Sequence, residues 1–282
     1  MPILFVILAT AFWGVSYLFT KLAFQEISTS TFLFLRYTVA TVFLYPVFLF
    51  HPVSLNKQLI KQGFHLSLLQ AILLFTQTIG LETISAALSS FVAGFYIVFV
   101  LLIRFIITRK LPSAVDLITS LLCLAGLALL THSFGDADLI GVWYTFISAF
   151  FFAIYIYVLD KYVKTDIAFT LTFLQVAGIM MISGGILLCN NHLFQFPTQL
   201  TTWGGIIFAG IGSSSLAYWL VAKAQSKLGA FKVSILMMLE PVFATIFAYF
   251  VLDEALYPIS FIGIGMILSA IAIINWRLKK VQ

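Results

Sequence analysis

The chain has 282 residues, 62% of them hydrophobic and only 9% charged, with a mean hydropathy of +1.11 and a formal net charge of +5. Soluble domains carry roughly a quarter charged residues, so this composition excludes a water-soluble protein. Long apolar stretches broken by short polar ones mark a polytopic α-helical membrane protein instead.

A spanning helix needs about 20 apolar residues. In chain order, ten segments meet that need: 2–21, 30–50, 63–82, 86–107, 114–131, 139–159, 167–189, 202–222, 232–252 and 257–276. Little chain is left between them, so no soluble domain or long tail is expected. The first segment lacks the basic start and small-residue cleavage site of a signal peptide and is long enough to span, so it reads as the first transmembrane helix.

The charges sort by side. With a cytoplasmic N-terminus, the inner loops carry Lys57, Lys61, Arg109, Lys110, Lys161, Lys164, Lys223, Lys227 and Lys232. Arg104 lies near an inner helix end, and Arg277, Lys279 and Lys280 follow the last helix. The outer side has only Lys21, with Glu26, Glu82, Asp136, Asp138, Asp253 and Glu254. This is the positive-inside bias, and it predicts both termini in the cytoplasm. The basic charge is thus a topology signal, not a nucleic-acid surface.

Cys123 and Cys189 lie on different segments and read as buried structural thiols. His51, His65, His132 and His192 are scattered and form no ligand cluster. No metal motif, nucleotide-binding loop or nucleophile arrangement occurs, so no metal, cofactor or ATP-driven pump is expected. A membrane-embedded enzyme would need a reactive cluster at the interface, and none can be assembled.

The two halves resemble each other weakly but in the same order. Thr31-Phe32-Leu33-Phe34-Leu35-Arg36 aligns with Thr170-Leu171-Thr172-Phe173-Leu174-Gln175, and Ala11–Tyr17 aligns loosely with Ala149–Tyr155. Ser89-Ser90 pairs with Val233-Ser234, which puts Tyr96-Ile97 opposite Glu240-Pro241. The reading divides the chain into residues 1–134 and 135–282, each with five spans. Five is odd, so the second half sits upside down, and inverted repeats of this kind place a transporter's substrate site near the midplane.

Several runs carry a more specific likeness. They are Ala11-Phe12-Trp13-Gly14 with Lys21, Phe34-Leu35-Arg36-Tyr37, and Lys227-Leu228-Gly229-Ala230 continuing through Leu239-Glu240-Pro241-Val242-Phe243 to Leu252-Asp253-Glu254. On these residues the chain resembles the drug/metabolite transporter superfamily, in its EamA group of ten-helix proteins. In the first half, Tyr96-Ile97 and Arg109-Lys110 stand where the family often has a proline and a closing glutamate. The resemblance implies a cavity lined by helices 1–4 and 6–9, with helices 5 and 10 as outer supports.

Against that expectation, Thr10, Trp13, Tyr17 and Lys21 share one face of the first helix. Trp13 lies near mid-depth, either as core or as part of a binding site. Gln70 and Gln77 share a face of the third helix and cannot meet lipid cheaply. Tyr96 is preferred over Ser89 and Ser90 as a cavity residue, because small residues in membrane helices more often serve packing. Gln175 is preferred over Ser213, Ser214 and Ser215, which can bond to their own helix backbone.

Arg36 can snorkel outward, pair with Glu240 or hold an anionic group. Glu240 is the one charge within Val233–Leu252. It can be a structural carboxylate, a proton carrier or the counter-charge of a cation, and the resemblance favours structure or gating. Pro241 is expected to bend or loosen the ninth helix. Gly265 and Ser269 suit packing within the monomer, or a weak homodimer.

The expected function is secondary transport of a small metabolite, an amino acid or related solute, across the inner membrane by alternating access, with protons as a candidate coupling ion. The expected binding residues are Trp13, Tyr17, Gln77, Tyr96, Gln175 and Glu240, with Arg36 and Pro241 in gating or structural roles. An organic cation such as a quaternary amine or an S-adenosylmethionine-like solute is the alternative, because aromatic rings and one carboxylate suit a cation.

Overall fold

Lipid offers no partner to a bare peptide group, so a chain this apolar must close its backbone hydrogen bonds within helices. The computed structural model describes residues 1–50, 55–131, 138–189, 194–252 and 257–279, which are helical with no strand among them. Ten helical runs are long and apolar enough to cross a membrane.

The first three spans are Pro2–Ala23, Thr29–Leu49 and Lys57–Thr83. The fourth is broken into Ala86–Ala93 and Tyr96–Thr108. Ala114–Thr131, Leu139–Tyr162 and Ala168–Cys189 form the fifth to seventh. The eighth runs from Leu200 to Leu228 through a π-helical stretch, Ala209–Leu216. The ninth is broken into Ala230–Met237 and Leu239–Leu252, and the tenth is Pro258–Lys279.

Side-chain caps start several spans: Ser28 accepts from the Thr31 N–H, Asn56 from Leu59, Ser85 from Leu88 and Asp138 from Ile140. Each satisfies a backbone donor that the first helical turn leaves open. The third span begins six residues before position 63 and the eighth ends six residues past position 222. Hydropathy cannot register these ends, because Lys57, Lys61, Lys223 and Lys227 sit on helical turns beyond the apolar core. Asp136, Asp253, Glu254, Lys280, His51, His132 and His192 lie outside the described residues, as do the side chains of Lys21, Arg277 and Lys279.

Packing follows the internal repeat. The first span packs on the eighth as the sixth does on the third, and the first meets the ninth as the sixth meets the fourth. The second and eighth correspond to the seventh and third, while the second–seventh and fifth–tenth pairs map onto themselves. The loops show that the halves are antiparallel. Just past the end of the first span, Glu26 accepts from Thr198 and Gln199 ahead of the eighth. Past the end of the sixth, Thr165 meets Ser226 at the eighth span's other end, 3.0 Å apart.

The fifth and tenth spans touch backbone to backbone. A Cβ on Gly126 would come within 2.7 Å of the Gly263 carbonyl, so only glycine fits there. Gly265 behaves differently from its expected role inside the monomer: nothing lies within 4 Å of where its Cβ would be. The Ser269 hydroxyl donates to the Gly265 carbonyl at 2.7 Å on the exposed face. Cys123 is buried as expected, but Cys189 is exposed at the end of the seventh span. Leu121, Phe250 and Phe261 are among many large apolar side chains on the outer surface, which a bilayer would cover.

Two outcomes follow from this packing. Gly263→Leu should destabilise the protein in detergent by about 1–3 kcal/mol, the usual cost of overpacking, whereas Gly265→Leu should leave the thermal midpoint unchanged. The Glu26 carboxylate is held at a pKa of about 2, below its usual 4.5, first by the Thr198 hydroxyl and also by backbone N–H groups. A lowered folded pKa means that the stabilisation is complete above 4.5 and is lost as pH falls towards 2. The difference in thermal midpoint between wild type and Glu26→Gln should therefore shrink across that window, measured by melting at stepped pH.

Candidate functional site

Two spans lose their helical ladder near mid-depth, and the breaks meet. In the fourth, the Phe95 N–H reaches Val92 and the Ile97 N–H reaches Gly94, both tightened three-residue bonds. In the ninth, the Met238 N–H reaches Ile235 in the same way. A Cβ on Gly94 would crowd the Leu127 side chain of the fifth span, so glycine lets that span pack on the break, and the Met238 side chain of the ninth-span break lies in ordinary contact distance. Pro241 falls in the first turn after the second break, where its missing N–H is not needed. The expected bend at Pro241 is thus a true interruption just before it. The fourth span has a matching break without any proline.

Between the breaks lies a cavity with about 110 Å³ open to the centre of a water molecule. One water needs roughly 10–15 Å³ on that measure, so a small metabolite fits. Its lining comes from spans one to four, six, eight and nine. Thr20 and Leu81 line it within three residues of Ala23 and Thr83, where their spans end on the Glu26 side. Towards the other face it stops at Met237, seven residues from Ala230.

Five of the six expected binding residues line this cavity. The Tyr17 hydroxyl accepts from the Gln77 amide at 2.8 Å and also lies in hydrogen-bonding contact with the Glu240 carboxylate. Tyr96 donates to the Ser234 carbonyl at 2.9 Å and meets the Phe152 ring edge-on, with centroids 4.9 Å apart. Trp13 packs against Tyr218 at 5.4 Å and donates its indole N–H to the Ser213 carbonyl at 2.9 Å. Mid-depth tryptophan here combines core packing with cavity lining. Arg36 and Pro241 line the cavity as well.

Gln175 is the exception. It lies outside the lining, donates to Gln70 and exchanges hydrogen bonds with the Tyr155 hydroxyl at 3.1 and 3.2 Å.

The three serines of the eighth span do more than bond to their own backbone. Ser213 donates to the Phe12 carbonyl at 3.0 Å, Ser214 accepts from the Arg36 Nε at 2.6 Å, and Ser215 reaches the Ala40 carbonyl at 3.3 Å. They belong to the π-helical stretch, whose wider turn presents successive residues across helices; such stretches often occur at functional sites.

Arg36 is 8% exposed and Glu240 is half-buried. They face one cavity from opposite halves of the chain, yet make no ion pair within 4.0 Å; among the described residues, the one salt bridge is Arg104–Asp116. Arg36 is held by Ser214 and lies 5.7 Å from the Tyr37 ring. Among the described residues, no group of three His, Cys, Asp or Glu side chains converges.

Sequence reasoning did not single out Ser16, Thr20, Ser148, Phe152 or Tyr218 as lining residues. Ser16 and Thr20 follow Trp13 at three and seven positions, so the periodicity that selected Tyr17 could have found them. The Ser16 hydroxyl is buried with no hydrogen-bond partner, and so remains available to a ligand.

A similar fold occurs in a solved crystal structure that superposes with a TM-score of 0.78 at 16% identity, covering 96% of this chain and 97% of the other. In sequence, an uncharacterized transporter of Archaeoglobus fulgidus is 25% identical over 274 residues, 96% of this chain and 84% of that protein. An uncharacterized protein of Methanocaldococcus jannaschii is 27% identical over 247 residues, 83% of this chain and 62% of its own length. The model of the EamA-like transporter family, within the drug/metabolite transporter superfamily, matches twice, at residues 1–132 and 139–276. Two matches in tandem and ten spans around a broken-helix cavity make this chain a member of the EamA-like transporter family.

Proposed function

We propose that this protein is a secondary transporter that carries a small zwitterionic metabolite, an amino acid or related solute, across the inner membrane by alternating access. One observation carries the substrate class: Arg36 and Glu240 line the same cavity without pairing. A charge held inside a membrane protein is costly unless a counter-charge meets it. A zwitterion supplies both, its carboxylate to Arg36 and its ammonium to Glu240.

Trp13, Tyr17, Gln77 and Tyr96 shape the rest of the site, and Ser16 and Gln77 offer polar contacts. Gln175 acts one layer away, and Pro241 sets the break that lets the ninth span move. The repeats are residues 1–134 and 135–282, inverted, with both termini cytoplasmic as the lysine distribution indicates. Glu240 is the group suited to carry a coupling proton. The protein works as a monomer or weak dimer and does no enzymatic chemistry.

The aromatic lining favours a second reading, an organic cation held by Glu240 and the rings of Trp13, Tyr17, Tyr96 and Tyr218. Arg36 in the same cavity opposes it by like-charge repulsion.

Proteoliposomes without nucleotide should take up labelled amino acid under an imposed gradient. Glu240→Gln and Trp13→Ala should each lower uptake on the order of tenfold or more, as expected for losing a charged hydrogen bond or a large aromatic contact, while still inserting. Normal transport by both variants would remove the cavity assignment. Product formation without flux would overturn transport itself. For topology, with Cys123 and Cys189 replaced by alanine, a cysteine at Ser226 should react with an impermeant maleimide in inside-out vesicles and not in intact cells.

A further inference from the structure

The repeat pairs two polar knots that the proposed function leaves unequal. On the cavity side, Arg36 of the second span donates to Ser214 of the eighth. On the sealed side, Gln175 of the seventh donates to Gln70 of the third. These are the same joint with the halves exchanged, because the second and eighth spans correspond to the seventh and third, and Arg36 aligns with Gln175. Tyr17 aligns with Tyr155, and each tyrosine stands beside its knot: Tyr17 lines the cavity with Arg36, and Tyr155 bonds Gln175.

Gln70, Tyr155 and Gln175 are 1%, 3% and 2% exposed. They bring together spans from both halves, and the bonds joining them are side chain to side chain. Their position is where the cavity ends and packed protein begins. Seven residues from Met237 to Ala230 correspond to about 10 Å of protein beyond the cavity floor. A seal of this kind opens without breaking any helix, because each amide and hydroxyl can exchange its partner for water or solute. The inner knot is neutral whereas its outer counterpart carries a guanidinium, so closing the inner side buries no charge.

We propose that Gln70, Tyr155 and Gln175 form the inner gate, and that the outer gate closes when the Tyr17 hydroxyl leaves Gln77 and Glu240 to complete the Arg36–Ser214 pair, which is already bonded while the cavity is open. The inference rests on the alternating-access reading above. It assigns Gln175 a gating role in place of direct substrate contact.

The test is reciprocal labelling in the full-length chain with Cys123 and Cys189 replaced by alanine. Ser90 lines the cavity, and Ser67 lies buried one turn from Gln70, bonded to the Gln175 carbonyl at 3.0 Å. Gln175→Ala and Gln70→Ala should each raise maleimide labelling of S67C from the cytoplasmic side and lower labelling of S90C from the opposite side. The expected change is about two- to tenfold, the shift that one net hydrogen bond supports.

Unchanged labelling at both sites in variants of folded protein overturns the gate, and so does a rise at both, which would mean loosened packing. If wild-type vesicles accumulate solute while the Gln175 variant leaves the labelling ratio unchanged, the gate alone fails. If wild type never exposes S67C and moves no solute, the alternating-access reading fails with it.

Discussion

A peptide group left without a partner in hydrocarbon costs several kcal/mol, and this constraint decides where the protein can be irregular. The fourth and ninth spans break and the eighth widens into a π-helix. Each of these irregular stretches lies against the central cavity or packed protein, not against lipid. Gly94 gives Leu127 room to pack on the first break, and the π-helical serines hold Trp13 and Arg36. The cost of irregular backbone is thus confined to the places where side chains are aimed into the cavity and across helices. The fifth and tenth spans carry no such breaks and lock together through Gly126 and Gly263.

The second organising feature is a separated pair of charges. Arg36 comes from the first half and Glu240 from the second, so a solute that satisfies both must bridge the halves. They make no ion pair within 4.0 Å, and each hydrogen-bonds a neutral group: Ser214 for the arginine, Tyr17 for the carboxylate. Solute binding of the kind proposed would then compensate both groups at once. Gln70 and Gln175 need no such compensation. The cavity reaches the span ends on the Glu26 side, and the neutral Gln70–Gln175 joint lies outside its lining.

Much of this was legible in the sequence, for identifiable reasons. Apolar segments of spanning length located all ten helices, because hydropathy reports the same constraint that forces the backbone into helices. The lysine distribution gave an expected orientation, and the alignment of Tyr96-Ile97 with Glu240-Pro241 pointed to the positions just after the two breaks. Trp13, Tyr17, Gln77, Tyr96 and Glu240 emerged from helical periodicity and depth.

What remained hidden depended on long-range register. Gln175 looked like a cavity residue because its amide needs partners at depth, but Gln70 and Tyr155 supply them. The serines of the eighth span looked self-satisfied because a regular α-helix was assumed, and no local pattern announces a π-helical stretch. Gly265 and Ser269 share a spacing with true packing glycines, yet only the fold shows that Gly126 meets Gly263 instead.

The zwitterion account is tested most directly by equilibrium binding to purified protein, comparing an amino acid that binds with its uncharged-carboxyl amide and its deaminated acid. With both charges read, the amide and the acid should each bind at least about tenfold more weakly than the parent, since each leaves one buried charge without its partner. An amide that binds as tightly as the amino acid, or more tightly, would show that Arg36 does not read a carboxylate and would contradict the account.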